Sequence, residues 1–136
     1  MKVLVIDDDP DMLELIKLIL TPTLYEVRSA HAGQAGIALV RESAPDIIIL
    51  DLVTPAMEDW EVCRNIRRFS RVPILILSAL DNPGKVAQAL DAGADDFLIK
   101  PVTSGVLIAH LNNLFRRSKA TTGSLMNSST QPTHYY

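Results

Sequence analysis

Asp46-Ile47-Ile48-Ile49-Leu50-Asp51 decides the fold. Apolar residues, mostly β-branched, run between two acids without the alternation of a half-exposed strand. A short continuous run of this kind fits a strand buried on both faces, the habit of parallel sheets. Upstream, Val3 to Ile6 is a second such run, and Tyr25 to Ala30 alternates like a strand. Downstream, Ile74 to Leu77 and Asp96-Phe97-Leu98-Ile99 repeat the pattern. Between them lie stretches with helical spacing. Met12, Leu13, Leu15, Ile16, Ile19 and Leu20 share one broad face, with Asp8 or Asp9 capping before Pro10 and Pro22 as the stop. Gly36 to Arg41 reads as helix ended by Pro45. Trp60, Val62, Cys63 and Ile66 mark a third, with Arg64, Arg67 and Arg68 outward. Asn82 to Ala92 reads as a fourth, stopped at Gly93. Ser104 opens a last helix that ends near Arg116-Arg117. Strand then helix, five times over, predicts a parallel sheet with helices on both faces, a doubly wound α/β fold. Pattern alone leaves two common sheet orders open.

Composition bounds the rest. The 136 residues are 48% hydrophobic and 21% charged, ordinary usage for one globular domain. With 5% aromatics, the core must be built from Leu, Ile, Val and Ala. A net charge of −3 argues against a general nucleic-acid-binding surface. The one cysteine, Cys63, excludes an internal disulfide framework and a Cys-based zinc cage, and reads as packing. Acid arrives at Asp7, too soon for a signal-peptide apolar region, and no apolar run approaches a membrane span. The expectation is a soluble cytoplasmic protein. Residues 119–136, rich in Ser and Thr and without periodicity, read as a flexible tail or truncated interdomain linker after a domain over 1–118.

In open α/β sheets, ligands bind beyond the carboxyl ends of the strands. The first strand delivers Asp7 and Asp8 there, the third Asp51, the fourth Ser78 and the fifth Lys100. Each has a plainer reading taken singly, as helix cap, turn residue, backbone-bonded serine or solvated lysine. Their joint placement at one edge is what carries weight. Clustered carboxylates either raise their pKa values or bind a cation. Hard oxygen donors without Cys or His favour Mg²⁺. An Asp is also a competent nucleophile toward phosphorus. The set therefore points to phosphoryl chemistry at Asp51, with Mg²⁺ on one side of the phosphoryl oxygens and Lys100 and Ser78 on the other.

Four segments carry a family resemblance: Val5-Ile6-Asp7-Asp8-Asp9-Pro10; Pro45-Asp46 through Leu50-Asp51-Leu52 and Pro55; Ile74 through Ser78-Ala79; and Gly93-Ala94-Asp95-Asp96-Phe97-Leu98-Ile99-Lys100-Pro101. In this order and spacing they resemble the receiver domain of two-component response regulators, most of all the winged-helix DNA-binding (OmpR/PhoB-like) subfamily. The resemblance covers about residues 1–118. It implies the flavodoxin-like sheet order 2-1-3-4-5, which sets the acidic pair beside Asp51. It implies that Asp51 accepts phosphate from a sensor histidine kinase. Asp8, Asp51 and the backbone carbonyl of Val53 would bind Mg²⁺, with Asp7 acting largely through water. Ser78 and the Ala79 amide would contact the phosphoryl group, as would Lys100, and the Lys100–Pro101 bond would be cis. Phe97 stands at the aromatic switch position, where without a hydroxyl it reports through packing.

Departures from the family pattern also bear on function. Asp59 stands where Gly is frequent. Apolar Val53 and Leu80 flank the phosphoryl position and are expected to shield it from water. The related subfamily dimerises through helix 4, strand 5 and helix 5 with crossed ion pairs. Here one such pair falls at Val86 and Val106, and a usual Arg falls at His110, while Asp95, Asp96, Arg116 and Arg117 remain. A homodimer through that face is the expectation. DNA would be met only through an output domain not contained in these residues.

The function implied is a phosphorylation switch and not a metabolic enzyme, beyond acquiring and losing its own phosphoryl group. The alternatives are a stand-alone or degenerate receiver acting by protein contact, and a Mg²⁺-dependent aspartyl phosphatase. The phosphatase requires a second Asp two residues after the nucleophile, where this chain has Val53, and a cap domain for which there is no room. A flavodoxin-like binder is disfavoured by Asp7-Asp8-Asp9, which would repel a flavin phosphate.

Overall fold

The computed structural model describes residues 1–51, 59–79 and 83–127. Five strands and five helices alternate along the chain: β1 (Lys2–Asp7), α1 (Pro10–Leu20), β2 (Glu26–Ala30), α2 (Gly33–Ser43), β3 (Ile47–Asp51), α3 (Asp59–Arg67), β4 (Ile74–Ser78), α4 (Pro83–Asp91), β5 (Asp96–Ile99) and α5 (Ser104–Asn127). All strands are parallel, in the order β2-β1-β3-β4-β5. This is the doubly wound sheet expected, in the order that the resemblance implies.

Strand alternation sorts side chains to two cores, one on each face. Leu4, Ile6, Ile48, Leu50, Ile74 and Ile76 turn to one face and meet Val40 of α2, Val62, Cys63 and Ile66 of α3, and Ala89 of α4. Val3, Val5, Ile47, Ile49, Leu75 and Leu77 turn to the other and meet Leu13, Ile16 and Leu20 of α1 and Leu107, Leu111 and Leu114 of α5. The whole Asp46–Asp51 reading follows from this: β3 is central, so every side chain from Ile47 to Leu50 is fully buried. Each contributes about 1.5–3 kcal/mol of hydrophobic stabilisation.

Local chemistry sets the helix ends. Asp9 is the N-cap of α1, its carboxylate accepting from the Asp11 amide at 3.0 Å, and Pro10 follows inside the first turn. That decides between the two capping candidates. α2 starts three residues before the expected Gly36, because Ala32 caps it without a side-chain hydrogen bond and so leaves no polar signal. It closes at Ala44, in the left-handed region at φ 45°, just before Pro45. Gly93 stops α4 at φ 114°. The backbone at Asp59 is not left-handed, since Ala44 is the one non-glycine with positive φ among the described residues. Asp59 instead opens α3 within its first, acidic turn.

Two expectations need correction. Arg67 does not point to solvent from α3. Its side chain is mostly buried, donating from Nε to Gly93 O at 3.1 Å, from one terminal nitrogen to Ser70 O and Val72 O, and from the other to Asp95 at 2.8 Å. α5 does not end near Arg116-Arg117 but continues to Asn127. No proline interrupts Ser118 to Asn127, and Lys119, Ala120, Leu125 and Met126 favour helix enough to carry the backbone ladder past Gly123.

Candidate functional site

The C-terminal sheet edge assembles the predicted site. Asp7 and Asp51 close β1 and β3 and are direct register partners. Both are buried. Two carboxylates side by side in a low-dielectric setting repel, and each must find compensation. Asp7 Oδ1 accepts from the Asp9 amide at 2.9 Å, while Asp7 Oδ2 is buried without a hydrogen-bond partner among the described residues. Asp51 Oδ2 forms an ion pair with Lys100 Nζ, in close contact but without hydrogen-bond alignment. One ammonium thus answers two buried carboxylates.

The titration behaviour follows. Burial raises the Asp7 carboxyl to about 7, against the lowering effect of the Asp9 amide, and the neighbouring Asp51 adds to the rise. Burial also raises Asp51, opposed chiefly by Lys100, with Asp8 pushing the same way as burial. The pair retains a proton between its carboxylates well above the usual carboxylate range.

The remaining predicted residues fall around this pair. Asp8, half-buried, follows Asp7 at the end of β1. Ser78 closes β4 beside Ile99 of β5, and its carbonyl accepts from the Lys100 amide at 2.8 Å. That backbone bond fixes where the Lys100 side chain departs. The Lys100–Pro101 bond is cis, as the resemblance implies. Ala79 is exposed just beyond β4. Phe97 is half-buried and packs on the core shared with α2, α3 and α4. Val53 and Leu80 lie outside the described residues.

The residues assigned to a dimer face are less unified. Val106 is 44% exposed on α5, and Val86 is half-buried on α4. Asp96 of β5 pairs within the chain with His110 Nδ1 at 2.5 Å. Asp95 is taken up at the opposite, N-terminal sheet edge, where it accepts from Arg67 and from the Ile74 amide at 2.8 Å. Arg116 lies near enough to the Tyr25 phenol to oppose the upward shift that burial imposes on it. Arg117 is exposed. Sequence reasoning missed the His110–Asp96 pair and the Arg67 cluster, since neither has a local signal: the partners are joined only by the sheet order.

Hard oxygen donors and a buried carboxylate oxygen without a hydrogen-bond partner among the described residues suit a divalent cation. Among the described residues, no three His, Cys, Asp or Glu side chains are grouped to hold one. The pair Asp7 and Asp51 supplies two carboxylates, with Asp8 beside them. The geometry thus defines a doubly wound domain with an acid pocket and a lysine-paired aspartate at the strand ends, suited to receiving a phosphoryl group.

Residues 3–112 match the family model of the response regulator receiver domain, and the chain belongs to that family. It is 39% identical over 116 residues to the transcriptional regulatory protein AfsQ1 of Streptomyces coelicolor, covering 85% of this chain and 52% of the relative. It is 35% identical over 118 residues to the DNA-binding response regulator MtrA of Mycolicibacterium smegmatis, covering 87% and 52%. The chain thus spans about half the length of these curated relatives. Among solved structures, a response regulator receiver domain protein from Clostridium thermocellum superposes with a TM-score of 0.82 at 29% identity, over 88% of this chain and 98% of that one. The chemotaxis protein CheY4 of Vibrio cholerae gives 0.76 at 29% identity, over 83% and 97%. Receiver domains generally bind Mg²⁺ where they are phosphorylated, interact with histidine kinases and are not enzymes in the usual sense. No helix among the described residues is long and apolar enough to cross a membrane.

Proposed function

We propose that this chain is a phosphorylation switch whose acceptor is Asp51, charged by a sensor histidine kinase. The observation that carries the reading is the buried Asp51–Lys100 ion pair set directly across the ladder from Asp7. An Asp51 carboxylate oxygen attacks the phosphorus of the donor's phosphohistidine. The P–N bond breaks, the imidazole leaves with the electron pair and takes up a proton, and an acyl phosphate remains. Asp8, Asp51 and the Val53 carbonyl would hold Mg²⁺, with Asp7 acting largely through water, and the ion would neutralise charge on the phosphoryl oxygens.

The protein's own groups do the rest. Phosphorylation moves negative charge from the Asp51 carboxylate to the phosphoryl oxygens, and the Lys100 ammonium follows it. Ser78 donates its hydroxyl to a phosphoryl oxygen, with the Ala79 amide beside it. That draws the end of β4 inward, and Phe97 repacks in the space released. The result is a population shift between two arrangements of α4, β5 and α5. Val86, Asp96, Val106 and His110 then form part of a homodimer face, and the dimer controls a DNA-binding output domain. Arg116 and Arg117 extend the same helix.

Intact-protein mass after acetyl phosphate with Mg²⁺ tests the reading. One phosphoryl group on the wild type and none on Asp51→Asn is the expected result. Failure of both phosphorylation and beryllofluoride binding by folded protein would leave a degenerate receiver acting by protein contact.

A further inference from the structure

On the α1 side of Lys100 the structure holds a second feature, a cavity of 330 Å³ between α1 and α5. Its floor is the buried Ile16, Leu77 and Leu107, and its wall includes Met12 and Ile19 of α1 and Val102 of the β5–α5 connection. The mouth is edged by Leu15, which is 49% exposed. One lining residue carries a charge, and it is Lys100. The volume sits at the low end of the roughly 300–1,000 Å³ typical of small-molecule sites, and an apolar lining with a single orienting polar group is their usual make-up.

We propose that this cavity binds a small amphipathic anion, an unbranched aliphatic monocarboxylate of medium chain length, with its tail among the α1 and α5 side chains and its carboxylate at Lys100. The apolar lining selects the tail. The lone ammonium selects the sign of the head group. A neutral head would leave Lys100 with Asp51 and gain no charge-assisted hydrogen bond. A cationic head would meet like charge.

Lys100 joins this cavity to the phosphorylation site. A carboxylate in the cavity and the Asp51 carboxylate compete for one ammonium. Ligand binding therefore weakens the Lys100–Asp51 pair, and because the phosphoryl oxygens draw on the same ammonium, ligand binding and phosphorylation oppose each other. The coupling rests on the switch reading given above, whereas the binding does not.

The experiment has two readouts on the full chain. Octanoate, with octan-1-ol as neutral control, is titrated against protein labelled at Ile, Leu and Val methyl groups. Shifts confined to Ile16, Ile19, Leu77, Val102 and Leu107 with octanoate are expected. The rate of acyl phosphate formation from acetyl phosphate is followed in parallel. Saturating octanoate is expected to slow it, toward the about 100-fold loss that follows withdrawal of one preorganised charge-stabilising group, and octan-1-ol to leave it unchanged. Leu15→Trp fills the mouth from a half-exposed position and should keep the uninhibited rate while losing both responses. Ile19→Phe, which narrows the cavity, should act likewise.

Absence of methyl shifts at millimolar octanoate would overturn the site. Equal inhibition by octan-1-ol would overturn the role of Lys100, and inhibition that persists in both variants would overturn the location. A protein that binds octanoate yet takes no phosphoryl group would sustain the cavity and overturn the switch instead.

Discussion

Arg67 and Asp95 meet at 2.8 Å beneath the turn at Gly93, joining α3 to the start of β5. The same guanidinium serves three carbonyls, so one side chain closes the N-terminal edge of the sheet. Arg67→Ala should lower unfolding stability by about 2–4 kcal/mol, measured by urea denaturation. Arg67→Lys keeps the charge but loses the planar fork and should recover only part of it. The yield of acyl phosphate per folded molecule should not change, because Asp51 lies at the other edge. Gly93→Ala should also destabilise, since its φ is 114° and a Cβ there would stand 2.7 Å from Arg67 Cγ.

Asp7 gives the metal-free protein a pH-dependent stability. Its folded pKa, about 7, exceeds the ordinary 3.8 of an aspartate, so the folded state holds the extra proton between those values. The stabilisation is complete below pH about 4 and is lost as pH rises toward 7, with a slope of at most about 1.4 kcal/mol per unit. Urea midpoints in EDTA should therefore fall between pH 5 and pH 7.5. Asp7→Asn should flatten the dependence and be the more stable protein at the upper pH. A steeper fall in Asp7→Asn would refute this account of the pair.

Lys100 pairs with Asp51, and in the proposed switch it would move to the phosphoryl oxygens after transfer. Lys100→Met should slow acyl phosphate formation by about 100–1,000-fold, the range for loss of one preorganised charge-stabilising group. Single-turnover kinetics with acetyl phosphate would measure it. A rate within twofold of wild type would remove Lys100 from the chemistry.

Self-association through α4, β5 and α5 should depend on apolar contact more than on crossed ion pairs, because Asp96 is engaged within its own chain. Leu90, Ile99 and Val106 are each more than 40% exposed on these elements. Val106→Asp should raise the dimer dissociation constant of beryllofluoride-treated protein at least tenfold, about 1.4 kcal/mol, by sedimentation equilibrium. Asp96→Lys should also weaken association, by freeing His110 and reversing a charge. No change from either would place the dimer contact elsewhere.

Cys63 should be inert in the native protein. It is fully buried on α3, and burial pushes its thiol up to about 12. The thiolate is the reactive form, so a disulfide reagent at pH 8 should react only at the rate of unfolding. Fast labelling in buffer would show that α3 opens locally.

Much of this was legible in the sequence. The run from Ile47 to Leu50 marked a central strand, and strand-end acids, Ser78 and Lys100 marked the edge where chemistry gathers. These signals are local, either as periodicity or as a residue adjoining a strand. The long-range pairs were not legible. Arg67 read as solvated because its spacing on α3 fits an outward face, yet the sheet order brings Gly93 and Asp95 beneath it. His110 gave no hint that Asp96 would hold it. The end of α5 was misplaced because a polar, Ser/Thr-rich composition resembles a tail, while an unbroken backbone ladder can carry such residues. The cavity beside Lys100 was invisible for another reason: its lining comes from three separate elements and one loop.

The length of α5 has a mechanical meaning. At 1.5 Å per residue its 24 residues extend roughly 36 Å. The root of the helix, at Ser104, is tied through the short Pro101–Thr103 connection to Lys100, and hence to Asp51. A ten-degree tilt at that root would sweep the far end through roughly 6 Å. In the proposed switch, a rearrangement at the acid pocket that repacked Leu107, Leu111 and Leu114 would thus be amplified along the helix.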